Sequence, residues 1–340
     1  MTNPRTIVTR SRYLPGVDAF ARWSEDVRNG TGPVLFQHSF PYPEIGPGRV
    51  TLFGGPPGGG KTAFTTQTGF EMLRFDPQLR LVIASCEMAP SALLNRQLAR
   101  LSGIDAEIVH HRRFGPEHAE RLASGLATLE SIVDRVAFME APYEIGNIGG
   151  TVDAFHANAV IVDYIQRFQV LTEDTEARFR VNRMMDYLRQ FADAGIAIIV
   201  VSAVGRTRDK AGRSSYASDG LSLASFRETS ELEYGADDAL ILAPIDESDP
   251  TRVRLSHLKA RHGRQVTQDL YFNRSVQSFT LIDGPFTSFA PGLPRSTVPA
   301  ADIRPTASEA LRRLWDTSAL ADDDESESPD AGETPAEPSP

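Results

Sequence analysis

Eight consecutive residues, Gly55-Pro56-Pro57-Gly58-Gly59-Gly60-Lys61-Thr62, set a lysine and a hydroxyl directly behind a run of glycines. Glycine lets a backbone wrap closely around an anion without Cβ clashes, so that successive N–H groups point inward. Upstream, Arg49–Phe53 has the pattern of a buried strand; downstream, Ala63–Phe70 reads as helix. The loop therefore feeds a helix N-terminus, whose positive end adds to the attraction. Strand, glycine loop and helix in that order fit the phosphate-binding pattern GxxxxGK[ST]. The expected ligand is ATP, cradled by Gly55, Pro56, Pro57, Gly58, Gly59, Gly60 and Ala63. Lys61 is expected to reach the β- and γ-phosphates, and the Thr62 hydroxyl to hold Mg²⁺.

Two carboxylates complete the chemistry. Ala159-Val160-Ile161-Val162-Asp163 puts an acid at the C-terminal end of an apolar run, about a hundred residues past the loop. At the carboxyl edge of a sheet such an aspartate holds the metal through its water shell, although an aspartate ending a strand also serves as a helix cap. The next residue is Tyr164, not Glu, which disfavours ATPases that place their base directly after the metal aspartate. Glu87 is the alternative base. It sits just beyond Leu81–Ser85, on what should be an adjacent strand, where it could orient and deprotonate the water that attacks the γ-phosphate. This arrangement belongs to RecA-like ATPases.

Positioning these groups requires a sheet. Short apolar runs recur at Arg49–Phe53, Leu81–Ser85, Arg135–Met139, Ala159–Val162, Ile196–Val201 and Ala239–Leu242. Between them lie amphipathic stretches such as Ser91–Leu101, Pro116–Val133 and Arg178–Ala194. The expected class is α/β: a mainly parallel sheet covered by helices on both faces. Arg252–Leu258, Gln268–Phe272 and Ser278–Ile282 alternate more and predict antiparallel strands at the C-terminal edge.

The organisation follows. Residues 1–30 read as a polar arm with a short helix near Asp18–Trp23, and 31–290 as the ATPase domain, entered through a Pro/Gly-rich loop. Residues 291–317 read as an extension with a short helix expected at Ala307–Asp316, and 318–340 as an acidic tail with too few apolar residues to offset its ordering entropy. The eight acids from Ser318 onward account for all but two of the ten net negative charges, so the body is nearly neutral and net charge does not exclude a nucleic-acid partner. No apolar run is long enough to span a bilayer, and no apolar stretch follows Met1 as a signal would. Cys86 is the only cysteine, which fits a reducing, cytoplasmic setting. Neither it nor His110-His111-Arg112-Arg113, read as a basic surface loop, has metal-ligand spacing.

Several blocks resemble the ATPase domain of DnaB-type replicative helicases, a hexameric RecA-fold family. Gly54–Phe64 resembles its phosphate loop, Ser85-Cys86-Glu87-Met88 its Ser-Leu-Glu-Met, and Ile161–Gln166 its Ile-Asp-Tyr-Leu-Gln. Phe226–Thr229 with Glu231–Asp237 resembles its Leu-Arg-Glu-Ser…Ile-Glu-Gln-Asp-Ala-Asp, and Lys259-Ala260-Arg261-His262-Gly263 its Lys-Gln-Arg-Asn-Gly. The resemblance spans roughly residues 31–285. It implies Lys61 and Thr62 at phosphate and Mg²⁺, Glu87 as base and Asp163 at the metal. It further implies that Lys259 and Arg261 act in trans on a neighbouring subunit's nucleotide in a hexameric ring. Arginine's fixed charge and several donors suit that task, and alternating positions would point both side chains to one side.

Two departures stand out. The family's fourth strand ends Ser-Gln-Leu-Asn-Arg, but here it reads Ser202-Ala203-Val204-Gly205-Arg206, which puts alanine where a polar γ-phosphate sensor is expected. Only about fifty residues precede the loop, too few for the family's helical N-terminal domain. Gly205–Tyr216 carries Arg206, Arg208, Lys210 and Arg213 among small polar residues, the composition of a mobile phosphate-contacting loop, at the place where RecA-like rings project DNA loops. Three functions follow as expectations. The first is a ring-forming helicase or translocase ATPase on single-stranded DNA. The second is a RecA-fold, DNA-dependent ATPase that serves as loader, regulator or recombination factor without unwinding. The third is a non-hydrolysing ATP-binding module that meets protein partners through its acidic tail.

Overall fold

The computed structural model describes residues 13–170, 177–205, 207–208, 214–215, 221–226, 231–246 and 248–282. The chain divides at Val34 into two units. In the first, α1 (Gly16–Asn29) replaces the expected short helix with a fourteen-residue one. It is closed by Gly30 in the left-handed conformation, where glycine carries no Cβ penalty. Val17, Phe20, Trp23 and Val27 are exposed in this unit, so the arm is less polar than expected.

In the second unit the apolar runs become strands: β1 (Val50–Gly55), β2 (Leu81–Ser85), β3 (Val136–Phe138), β4 (Ala159–Asp163) and β5 (Ala197–Ala203). β6 (Thr207–Arg208) and β7 (Ser214–Ser215) make a small separate hairpin. β8 (Asp238–Asp246), β9 (Asp249–Ala260), β10 (Gln268–Asn273) and β11 (Ser278–Leu281) follow. Among the described residues the main sheet has nine strands in the order β11-β10-β9-β8-β1-β5-β4-β2-β3. The part from β8 to β3 is parallel; β8 to β11 form an antiparallel meander, as the alternation in those segments predicts.

β1, β2 and β4 are buried along their whole length, so alternate residues enter two separate cores. Val160, Val162, Ile198 and Val200 join one layer with Ile148 of α6 (Ile145–Ala154) and Leu188 and Phe191 of α7 (Ala177–Asp193). Ala159, Ile161, Ala197 and Ile199 join the other. There they meet Phe64 and Phe70 of α2 (Lys61–Phe75), Leu93 of α3 (Pro90–Ser102) and Leu129 of α5 (Ala119–Glu130). Helices on both faces leave the sheet's carboxyl edge as the open end where loops meet. The His110–Arg113 cluster is not a loop: it caps α4 (Ala106–His111), with Arg112 in the left-handed conformation. The 291–317 extension and the 318–340 tail lie outside the described residues.

Candidate functional site

Gly55 ends β1 beside the Leu242 carbonyl, where a Cβ would overlap its oxygen. Gly60 has φ +92° and would drive a Cβ into Phe272 and Phe279. Both positions therefore require glycine, one for close approach and one also for a backbone that L-residues avoid. From Gly60 the chain enters α2 at once, with Phe64 N–H donating to the Gly60 carbonyl at 2.8 Å. Lys61 opens the helix, and its Nζ donates to the carbonyls of Gly55 (2.8 Å) and Pro56 (2.9 Å) at the centre of the loop. Arg274, from the β10–β11 turn, donates to the Gly58 carbonyl at 3.2 Å.

β4 delivers Asp163 to the same place. The Thr62 hydroxyl donates to its Oδ2 at 2.7 Å, across 101 residues of sequence. Asp163 is 2% exposed, and burial pushes its carboxyl above the usual range, against the Thr62 hydrogen bond. The negative charge of Glu87 adds to the rise, while Lys61 and Arg96 oppose it. β2 and β4 pair with Ser85 level with Asp163, and the Cys86 N–H donates to the Asp163 carbonyl at 3.1 Å. Glu87 follows, exposed, at the rim of the site. Burial likewise lowers the Lys61 ammonium, with Asp163 and Glu87 pulling it back.

Thr62 and Asp163 are hard oxygen donors, and among the described residues no group of three His, Cys, Asp or Glu side chains gathers for a metal. That donor set fits Mg²⁺, which takes one or two protein oxygens and completes its shell with water and phosphate.

A cation absent from the sequence reading joins the site. Arg96 lies on α3, half-buried, and the described residues give it no hydrogen bond or ion pair. Burial lowers its pKa, while Asp163 and Glu87 raise it. The turn that carries it is locked to α2: Gln97 Nε2 donates to Thr66 Oγ1 at 3.2 Å, and Arg100 pairs with Glu71 at 3.3 Å. Helical side chains lean toward their own N-terminus, which aims Arg96 at the Glu87 end of α3. An arginine in an amphipathic stretch gives no sequence signal of this kind; only the lateral register of α3 on α2 reveals it.

Ala203 pairs level with Gly55, so a side chain at 203 stands beside the loop. Its methyl has no donor or acceptor. The neighbouring polar groups are tied together, with Gln166 Nε2 donating to Ser202 Oγ (2.8 Å) and the Ala203 N–H donating to Gln166 Oε1 (3.4 Å). Two residues beyond Ala203, Gly205 donates to the Ser225 carbonyl, and the β6–β7 hairpin follows. Arg208 lies in β6; Arg206, Lys210 and Arg213 fall outside the described residues.

Lys259 and Arg261 do not join the site of their own chain. β9 runs antiparallel to β8, with Ala260 level with Asp238, which is itself level with Thr51 of β1. Lys259 and Arg261 therefore stand at the amino edge of the sheet, while the loop leaves its carboxyl edge after Gly55. Four residues of strand put about 13 Å between those levels. Both side chains converge on one segment, as their alternation predicts. Lys259 Nζ donates to the carbonyls of Ala236 (2.8 Å) and Tyr234 (3.3 Å), and Arg261 to Asp237 Oδ1 (2.7 Å) and the Tyr234 carbonyl (3.3 Å).

Residues 45–281 match the family model described as DnaB-like helicase C terminal domain. No curated protein sequence matches the chain. Among solved structures, one whose title describes it as an ATPase domain superposes with a TM-score of 0.69 at 18% identity, covering 80% of this chain and 100% of that one. A second, titled "The Structure Of A DnaB-Like Replicative Helicase And Its Interactions With Primase", gives 0.67 at 17% identity, covering 78% of this chain and 68% of that one. At these identities the two structures speak for the fold.

Proposed function

The chain belongs to the DnaB-like helicase C-terminal domain family, and from that premise we propose that it hydrolyses ATP at interfaces of a homo-oligomeric, hexameric ring acting on single-stranded DNA. The observation that carries this reading is the division of the chemistry between two edges of one sheet. Lys61, Thr62, Glu87 and Asp163 meet at the carboxyl edge, whereas Lys259 and Arg261 stand at the amino edge. A subunit so built has an incomplete site on one edge and a cationic pair to lend on the other.

In this reading the loop N–H groups and Lys61 bind the phosphates, with Lys61 exchanging the Gly55 and Pro56 carbonyls for phosphate oxygens. Thr62 and Asp163 would hold Mg²⁺, which would supply neutralisation of phosphate charge. Glu87 orients the attacking water and takes its proton. The neighbour's Arg261 and Lys259 stabilise charge on the transferring phosphoryl group. Hydrolysis is coupled to DNA through β5: its C-terminal end lies beside the loop, and the β6–β7 hairpin with its basic residues follows directly. Among the described residues no helix is long and apolar enough to cross a membrane, and a cytoplasmic location goes with the reading. The acidic tail is left as a site for a protein partner.

Ala203 favours a second reading, in which the ATPase responds to DNA without unwinding it. Level with Gly55, it offers no side-chain group through which the state of the γ-phosphate reaches the hairpin. One sample decides between them, assayed for phosphate release with and without single-stranded DNA and for strand displacement. The proposal predicts DNA-stimulated release with displacement, and loss of release in Glu87→Ala with nucleotide binding retained. Release without displacement selects the second reading, and equal rates with and without DNA contradict coupling altogether.

A further inference from the structure

Asp237 is a buried carboxylate, 1% exposed, that the chemistry at the loop does not use. Its Oδ2 accepts the Val50 N–H (2.8 Å) at the start of β1 and Arg189 Nη1 (2.5 Å) from α7. Its Oδ1 accepts Arg261 Nη1 at 2.7 Å, with His262 Nε2 at 3.6 Å. Burial alone would push this carboxyl up; the Val50 N–H, Arg189 and Arg261 together hold it below the usual range. Arg189 is itself fixed, donating to the Gly48 carbonyl (2.9 Å) and to Asp193 (3.0 Å). The carboxylate is thus pinned by a strand and a helix before it meets Arg261.

Among the described residues Arg261 is held by Asp237 and the Tyr234 carbonyl. Its side chain is 44% exposed, and its contacts with Asp237 and the Tyr234 carbonyl engage one N–H on each Nη. A guanidinium carries five N–H donors in a rigid fork, so three remain on a side chain that is open to solvent. We propose that Asp237 is a positioning residue: it presents Arg261, preoriented, to the γ-phosphate bound by the neighbouring subunit. A fixed guanidinium has less freedom to lose on engaging charge that develops in the transition state, so the gain falls on turnover. The proposal rests on the reading that Arg261 acts in trans.

Asp237→Asn tests it. The amide oxygen can still accept from Val50 and Arg189, but the amide nitrogen then faces Arg261, donor against donor. In full-length rings, kcat for ATP hydrolysis should fall about tenfold or more, with KM changed no more than about twofold. Because its own loop lies at the other edge, an Asp237→Asn subunit should regain activity when mixed with Lys61→Ala subunits, which lend an intact Arg261. Mixing with Arg261→Ala should restore nothing. Unchanged kcat in Asp237→Asn overturns the proposal. So does failure of Lys61→Ala to rescue it under conditions where Arg261→Ala with Lys61→Ala does recover, since the damage then lies in the variant's own site. No recovery from Arg261→Ala with Lys61→Ala removes the trans reading beneath it. If Asp237→Asn forms no rings, Asp237→Ser keeps an acceptor near Val50 without one that reaches Arg261, with the same expectations. Failure of both to assemble makes the carboxylate structural and ends the proposal.

Discussion

Arg96 brings a second cation, beside Lys61 and the positive helix end, to a site holding two carboxylates, Glu87 and Asp163. Burial of an unpaired guanidinium is unfavourable unless nearby negative charge offsets it, and here that charge is the proposed base and the proposed metal ligand. Arg96 opposes the rise that burial imposes on the Asp163 carboxyl. Replacing it with alanine should lower phosphate release roughly tenfold or more, with partial recovery in Arg96→Lys. An unchanged rate in Arg96→Ala would show that the cation is only a solvated helix residue. Lys61, Thr62, Glu87 and Asp163 were legible in the sequence because each sits at a strand end or in a contiguous loop, where local pattern fixes position. Arg96 and Asp237 were not. Their meaning comes from neighbours far away in the chain, such as Val50, which lies 187 residues before Asp237.

The phosphate loop depends on elements that touch no phosphate. Gln67, nearly two turns into α2 and 2% exposed, bridges to the edge strand β11 twice: its Nε2 donates to the Phe279 carbonyl (3.0 Å) and its Oε1 accepts the Phe279 N–H (2.8 Å). Phe279 in turn stacks on Phe272 at 4.1 Å and meets Phe64 edge-on at 5.4 Å, directly beneath Gly60. Gln67→Ala would strand two buried backbone groups, at a cost of about 3 kcal/mol. A lower urea midpoint at unchanged slope would confirm this, and an unaltered midpoint would mean the strand finds other partners. At this scale the sequence told most about the buried strands, because runs such as Ala159–Val162 are apolar on both faces. The apolar run Ala239–Leu242 marked only the middle of β8. The strand continues to Asp246 because β1 pairs only with Asp238–Ile241, which leaves Pro244 beside a bulge where its missing N–H breaks no bond to β1. The sheet order was not legible either, since it is set by pairings between distant segments. The tip of the 206–216 loop and the tail lie outside the described residues, although Thr207–Arg208 and Ser214–Ser215 show that the loop base is a hairpin.

For the molecule as a whole, the opposed edges of the sheet are the main consequence of the fold. Every residue expected at the nucleotide lies at or beyond the level of Phe53, which Asp163 shares through Val201, except the Lys259 and Arg261 pair, which is anchored near the level of Val50. A single subunit cannot bring the two together, so the proposed ATPase is a property of the assembly. Mixing inactive Lys61→Ala and inactive Arg261→Ala subunits tests this most directly. With random assembly, about one interface in four joins an intact loop to an intact Arg261. The account predicts that phosphate release in the presence of single-stranded DNA returns to a fraction of that order in the equimolar mixture. Release that stays at the level of the separate variants over a wide range of mixing ratios would contradict it.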